Sequence, residues 1–172
     1  MPVQTLKWYN DALVLLDQTR LPSELVYETC EDVETVARAI EDLVVRGAPA
    51  IGLAAAYGVV VGARNARDST GEEFRQCVDE TIARLERTRP TAVNLFWALE
   101  QMRQVLSATS GQDNQSVCDE LLAVANRLFV EDQEICRRMG KNGAELLPAN
   151  GQVITHCNAG GLATADYGTA LG

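Results

Sequence analysis

The sequence predicts an α+β amino-terminal domain, a small antiparallel sheet plus helices, followed by the first strand-turn-helix of an incomplete α/β domain. Three observations carry this. Apolar residues flank a turn dipeptide at Asn10-Asp11. From Val33 onward they recur at three- and four-residue steps. After Pro148-Ala149-Asn150-Gly151 the pattern switches to a short β-branched run and a glycine turn.

The first element is a hairpin over Leu6 to Leu16, in which Leu6 and Trp8 face Ala12, Leu13, Val14 and Leu15 across Asn10-Asp11. Leu25-Val26-Tyr27 continues as short extended structure. Val33, Val36, Ala37, Ile40, Leu43 and Val44 then mark one helical face, with Glu31 and Asp32 at its start, where the dipole favours negative charge. Gly47 and Pro49 interrupt, and a helix over about 50–64, apolar all round, is expected to be central.

Thr70-Gly71-Glu72-Glu73 has the form of a capping box, and Phe74, Cys77, Val78, Ile82 and Leu85 follow at helical spacing. Arg89-Pro90-Thr91 breaks that helix. The next carries Leu95, Phe96, Leu99, Met102 and Leu106. A polar loop over 107–115 leads to a long amphipathic helix from Ser116 through Leu121, Val124, Leu128, Ile135 and Met139 to about Gly140 or Gly143. Gln152-Val153-Ile154-Thr155 reads as a strand. The division is therefore 1–147 for the sheet-and-helix domain and 148–172 for the start of the second. A lone parallel-type strand cannot bury both faces, so the chain is expected to be a fragment of a longer protein.

The chain has 172 residues, 47% hydrophobic and 23% charged, the balance of a soluble globular domain. A formal charge of -9 disfavours non-specific nucleic-acid binding and favours small-molecule or protein partners. The longest apolar run, Ala48 to Ala63, is shorter than the roughly 20 residues of a membrane span, and no secretory leader is legible. Five cysteines with no C-x-x-C pair fit free thiols in a reducing cytoplasm. With His156 the sole histidine, no histidine-based metal centre and no cofactor is expected.

Three places could carry chemistry. Arg46-Gly47-Ala48-Pro49-Ala50-Ile51-Gly52 joins a cation to a helix start, a natural phosphate site, although spacing alone favours the plainer reading of a helix stop followed by proline, a common break. Arg89 gains meaning only if it converges with Arg46 on one anion. Cys157 ends the expected strand, where open α/β sheets place ligands, and Gly160 and Gly161 would offer amides to a thiolate or anion. The competing reading is a small buried cysteine. His156 points to the opposite face of such a strand, so the two are not paired.

Arg46 to Gly52, Thr88-Arg89-Pro90-Thr91-Ala92-Val93-Asn94-Leu95, Thr155-His156-Cys157-Asn158-Ala159-Gly160-Gly161-Leu162-Ala163-Thr164 and Tyr167 to Gly172, with Leu15 to Pro22, together resemble the methylthioribose-1-phosphate isomerases. That wider family includes ribose-1,5-bisphosphate isomerases and regulatory subunits of translation initiation factor 2B. The resemblance implies a cytoplasmic, usually dimeric enzyme of methionine salvage acting on a phosphosugar. Carried over by motif, Arg46, Gly47, Ala48 and Arg89 match substrate-contacting positions and Cys157 the catalytic cysteine. The family's acid, an aspartate, matches no position here; Asp166 is not at its place. Two other readings stay open: a non-catalytic initiation-factor-like assembly or ligand-sensing module, and ribose-1,5-bisphosphate isomerisation.

Overall fold

The computed structural model describes residues 4–172. Strands β1 (Leu6–Tyr9), β2 (Ala12–Leu16) and β3 (Tyr27–Cys30) form an antiparallel sheet in the order β1-β2-β3. Leu6 pairs with Leu15 and Tyr9 with Ala12. Asn10 and Asp11 both take positive φ, 50° and 60°, the conformation a two-residue hairpin needs to match the twist of its strands. Asparagine and aspartate tolerate it best among residues with a side chain. The hairpin stands as expected.

Five helices follow: α1 (Val33–Glu41), α2 (Ala48–Asn65), α3 (Gly71–Glu86), α4 (Val93–Ala108) and α5 (Asn114–Ala144). Every residue of α2 from Ala50 to Ala63 is buried, so the apolar helix is the axis on which the others pack. Its alanines and glycines let neighbours approach closely. Leu85, Ile82, Leu95, Leu99 and Leu121 are fully buried around it, each such side chain contributing about 1.5–3 kcal/mol.

Several boundaries differ from the periodicity. Helix α1 stops at Glu41, and Leu43 takes φ 65° and is exposed rather than continuing the apolar face. Helix α5 begins two residues early because Asp113 accepts the Ser116 N–H and caps it. Cys77 is exposed, as are the edges of Phe96, Ile135 and Met139, so these are not core positions.

The largest departure lies in residues 152–155, where no strand forms and Ile154 is 99% exposed. The expected helix after it is a single 3-10 turn, Gly161–Ala163. A β-branched run becomes a strand only when a neighbour takes its backbone hydrogen bonds, and none of the described residues does so. No helix among the described residues is long and apolar enough to cross a membrane.

Candidate functional site

Helices α1, α3 and α5 are each closed by a side chain: Asp32 accepts the Thr35 N–H, Thr70 and Glu73 form a reciprocal capping box, and Asp113 accepts the Ser116 N–H. Helices α2 and α4 are not. Gly47 and Ala92 occupy their capping positions and supply no side-chain acceptor. The first turn of α2 contains Pro49, which has no N–H, and its first backbone bond runs from the Ile51 N–H to the Gly47 carbonyl. The N–H groups of Ala48 and Ala50, and of Val93 and Asn94 in α4, have no protein acceptor among the described residues. Open amides at the positive end of a helix attract an anion.

The two open starts are neighbours. A Cβ built on Gly52 would lie 2.8 Å from the Asn94 carbonyl oxygen, so only glycine lets the helices touch there. Arg46 precedes α2 and is exposed; Arg89 precedes α4 and is half-buried. Neither guanidinium forms a hydrogen bond or ion pair among the described residues. Most other arginines do, Arg84 holding both Glu34 and Glu41 and Arg75 two carbonyls.

The glycine motif is tied to this end of the molecule. Gly47 has φ 99°, and a Cβ there would fall 2.4 Å from Ala163 Cα, so the Arg46 loop and the Gly161–Ala163 turn pack backbone to backbone. Thr5 Oγ1 donates to the Gly161 carbonyl at 3.0 Å, and Gln18 Nε2 to the Leu162 carbonyl at 2.7 Å. On the other side, Asp132 of α5 accepts the Ala165 N–H at 2.7 Å, while Asp166 accepts from Gln133 and Arg137. Burial raises the Asp132 carboxyl above its ordinary value, with the Ala165 amide opposing and the Asp166 charge adding. Asp166 is therefore held in a structural network.

Gly160 bridges to Gly168 and Gly161 lies against the Asp166 carbonyl, so the close backbone approach at these glycines is used within the motif itself. Cys157 is exposed with φ 64°, outside that packed segment, and is not buried among apolar side chains. His156 is exposed beside it. Sequence reasoning did not single out Gln18, Thr5 or Asp132. Gln18 lies in the Leu15 to Pro22 segment, which was a usable signal; Thr5 and Asp132 had none, because their partners are distant in sequence.

A cavity of about 390 Å³ opens beside the two helix starts, between Pro49 and Leu53 of α2, Asn94 and Trp97 of α4, the middle of α5, and Thr169. Among the described residues no group of three histidine, cysteine or acidic side chains is placed to hold a metal ion.

Comparison with known proteins shows which family and fold the chain shares. Residues 44–166 match the profile of the Initiation factor 2 subunit family. The chain is 49% identical over 172 residues to a methylthioribose-1-phosphate isomerase of Geotalea uraniireducens, covering 100% of this chain and 50% of that protein. A protein of the same name from Pelotomaculum thermopropionicum is 50% identical over 171 residues, 99% of this chain and 47% of its own length. Two solved structures superpose closely. The 5-methylthioribose 1-phosphate isomerase of Pyrococcus horikoshii gives a TM-score of 0.89 at 40% identity, with 98% of this chain and 47% of that one covered. Translation initiation factor eIF-2B subunit delta from A. fulgidus gives 0.86 at 42%, covering 98% and 49%. The chain spans about half the length of the curated relatives it matches. With the family profile covering most of its length and near half-identical relatives along all of it, the chain belongs to the Initiation factor 2 subunit family.

Proposed function

We propose that this chain is the phosphate-gripping half of an isomerase that converts 5-methylthioribose 1-phosphate to 5-methylthioribulose 1-phosphate, an aldose–ketose step of methionine salvage. One observation supports this above the others: α2 and α4 start side by side with open amides and two uncommitted arginines, while every other α-helix is closed by its own side chain. That contrast fits one phosphate held between Arg46, the amides about Gly47 and Ala48, and Arg89.

The chemistry explains why such a grip is needed. A sugar phosphorylated at C1 has no free anomeric hydroxyl, so its ring does not open by simple loss of that proton. Hydrogen must move between C2 and C1 in a site that excludes water, with the phosphate fixed and an acid–base pair in place. Cys157 is assigned to one side of that pair or to stabilising the reacting carbons, whether the hydrogen moves as proton or hydride. Its exposure fits a group awaiting a partner surface. The acid and the remaining substrate contacts are assigned to the second half of the relatives' length, and Gly160 and Gly161 to shaping the turn. In this reading residues 1–147 form the amino-terminal domain and 148–172 open the Rossmann-like one. The protein acts in the cytoplasm as a homodimer, without nucleic-acid or membrane partners.

The test is steady-state turnover of 5-methylthioribose 1-phosphate. This chain alone is expected to be inactive. In the full-length protein Cys157→Ala is expected to lower kcat by about 10²–10⁴-fold, the range for removing an acid–base group. Activity retained by the variant would remove Cys157 from the chemistry. A full-length protein that binds the sugar phosphate without converting it would support an assembly or sensing module instead.

A further inference from the structure

Gln18 follows β2, far in sequence from the Cys157 motif, yet it bonds the chain beside both that motif and Arg46. Its backbone N–H donates to the Val44 carbonyl at 2.9 Å, just before Arg46. Its side-chain Nε2 donates to the Leu162 carbonyl at 2.7 Å, in the turn that follows Cys157. The residue is 3% exposed, and its Oε1 has no hydrogen-bond partner among the described residues. A buried amide with one end unpaired contributes little to stability, because the lost hydration of that end offsets the bond made at the other. A methionine of the same length would fill the space without that penalty.

Further contacts make the junction rigid. Thr5, fully buried, donates from Oγ1 to the Gly161 carbonyl at 3.0 Å, so consecutive carbonyls of the turn are both held and its planar peptide units cannot rotate. Gly47 meets Ala163 backbone to backbone, with no room for a side chain on the glycine. From there the constraint runs back toward Cys157: Gly160 bridges to Gly168, and the Ala159 carbonyl accepts from the Thr169 and Leu171 N–H groups.

We infer that Gln18 is a positioning residue: it holds the turn after Cys157 in fixed register with the Arg46 loop, and so sets where the cysteine stands relative to a phosphate gripped by that loop. The inference rests on the isomerase reading above, and Gln18 itself is assigned no contact with substrate. An enzyme that fixes a sugar by its phosphate and reacts it at neighbouring carbons needs the gripping and reacting groups in one frame. A displacement of about 1 Å costs on the order of 10²-fold in rate. The two sides of this frame are anchored differently. The Arg46 loop is tied to its own helices through Val45 N–H to the Ala39 carbonyl and Ile51 N–H to the Gly47 carbonyl. The turn relies on Gln18 and Thr5 for its hydrogen bonds to the β1–β2 end of the fold. Removing the Gln18 donor therefore loosens the cysteine side and leaves the phosphate side in place.

Steady-state kinetics of the full-length protein on 5-methylthioribose 1-phosphate test this, with variants at both donors. Gln18→Met keeps the side chain's length and removes the donor. It is expected to lower kcat about 10–100-fold, with KM within about threefold of wild type and Tm within about 3 °C. Thr5→Val should move kcat the same way by about three- to tenfold, and it carries the test if Gln18→Met does not fold. In Gln18→Glu a carboxylate would face the Leu162 carbonyl, whereas the protonated acid can donate to it. Its kcat relative to wild type at the same pH should therefore rise as the pH falls toward the carboxyl pKa, a recovery absent from Gln18→Met. Folded variants with kcat within about twofold of wild type, or a rise in KM at unchanged kcat, would overturn the inference and leave the isomerase reading intact. A wild type that does not turn the sugar phosphate over removes both.

Discussion

Two arginine-bearing regions of this molecule use the same residue in opposite ways. Where α1 meets α3, Arg84 lies between Glu34 and Glu41, with contacts of 2.9 Å and 2.7 Å, and the helices there are capped by Asp32 and by the Thr70–Glu73 box. The Arg84 guanidinium is fully engaged by the two carboxylates. Where α2 meets α4, Arg46 and Arg89 are uncommitted, both helix starts are uncapped, and an apolar cavity adjoins them. Folding alone would favour closing those ends too, since a side-chain cap stabilises a helix by about 0.5–2 kcal/mol. An end left open twice, at adjacent helices, fits a surface kept available for a ligand.

The largest effect expected from this contrast is on binding. Arg46→Ala and Arg89→Ala in the full-length protein should each lower kcat/KM by about 10–100-fold, the value of hydrogen bonds to a charged group, and leave the thermal midpoint within about 1 °C. A large loss of stability in either variant would show that its arginine is structural after all.

Arg84→Met should do the reverse, lowering Tm at neutral pH by about 2–4 °C with turnover unchanged. Its pH dependence follows from Glu34. The Arg84 hydrogen bond lowers the Glu34 pKa from 4.5 to about 2. A carboxyl whose folded value is depressed stabilises the fold above its unfolded value, and the contribution is lost as pH falls through the folded value. The deficit of Arg84→Met should therefore be full above about pH 5 and close as the pH approaches 2. Calorimetry across that range checks it, and a pH-independent deficit would point to lost packing instead.

The smallest effect is the sharpest probe. Ala92→Ser gives α4 the cap it lacks, at an extended backbone position suited to one. Tm should rise by about 1–3 °C. If the proposed phosphate grip holds, turnover should fall two- to fivefold, because the serine oxygen would compete with phosphate for the same amides. A stabilised variant with undiminished kcat/KM would separate the α4 start from the site.

Much of this arrangement was legible in the sequence, for local reasons. The Asn10-Asp11 turn, the Thr70–Glu73 box and the all-round apolar α2 depend on residues within a few positions of one another, so periodicity and capping chemistry were enough. The motifs at Arg46, Arg89 and Cys157 were visible as motifs. Two local readings failed. Leu43 continues the helical rhythm, yet Asp42 already closes α1 and the chain turns back so that Val45 can bond the Ala39 carbonyl. Residues 152–155 have strand-like side chains but no neighbouring ladder.

Only the tertiary structure decided which residues meet. No spacing rule connects Gly47 with Ala163, Gln18 with Leu162, or Asp132 with Ala165, contacts that join segments 33 to 144 positions apart. Nor could a sequence show that the helix starts at Ala48 and Val93 lie together, because that follows from Gly52 letting Asn94 approach. The sequence by itself determined the elements and their chemistry, since propensity, capping and charge act over one or two turns. Packing determined the candidate site, since two uncapped helix starts and a cavity come together only where separate elements converge.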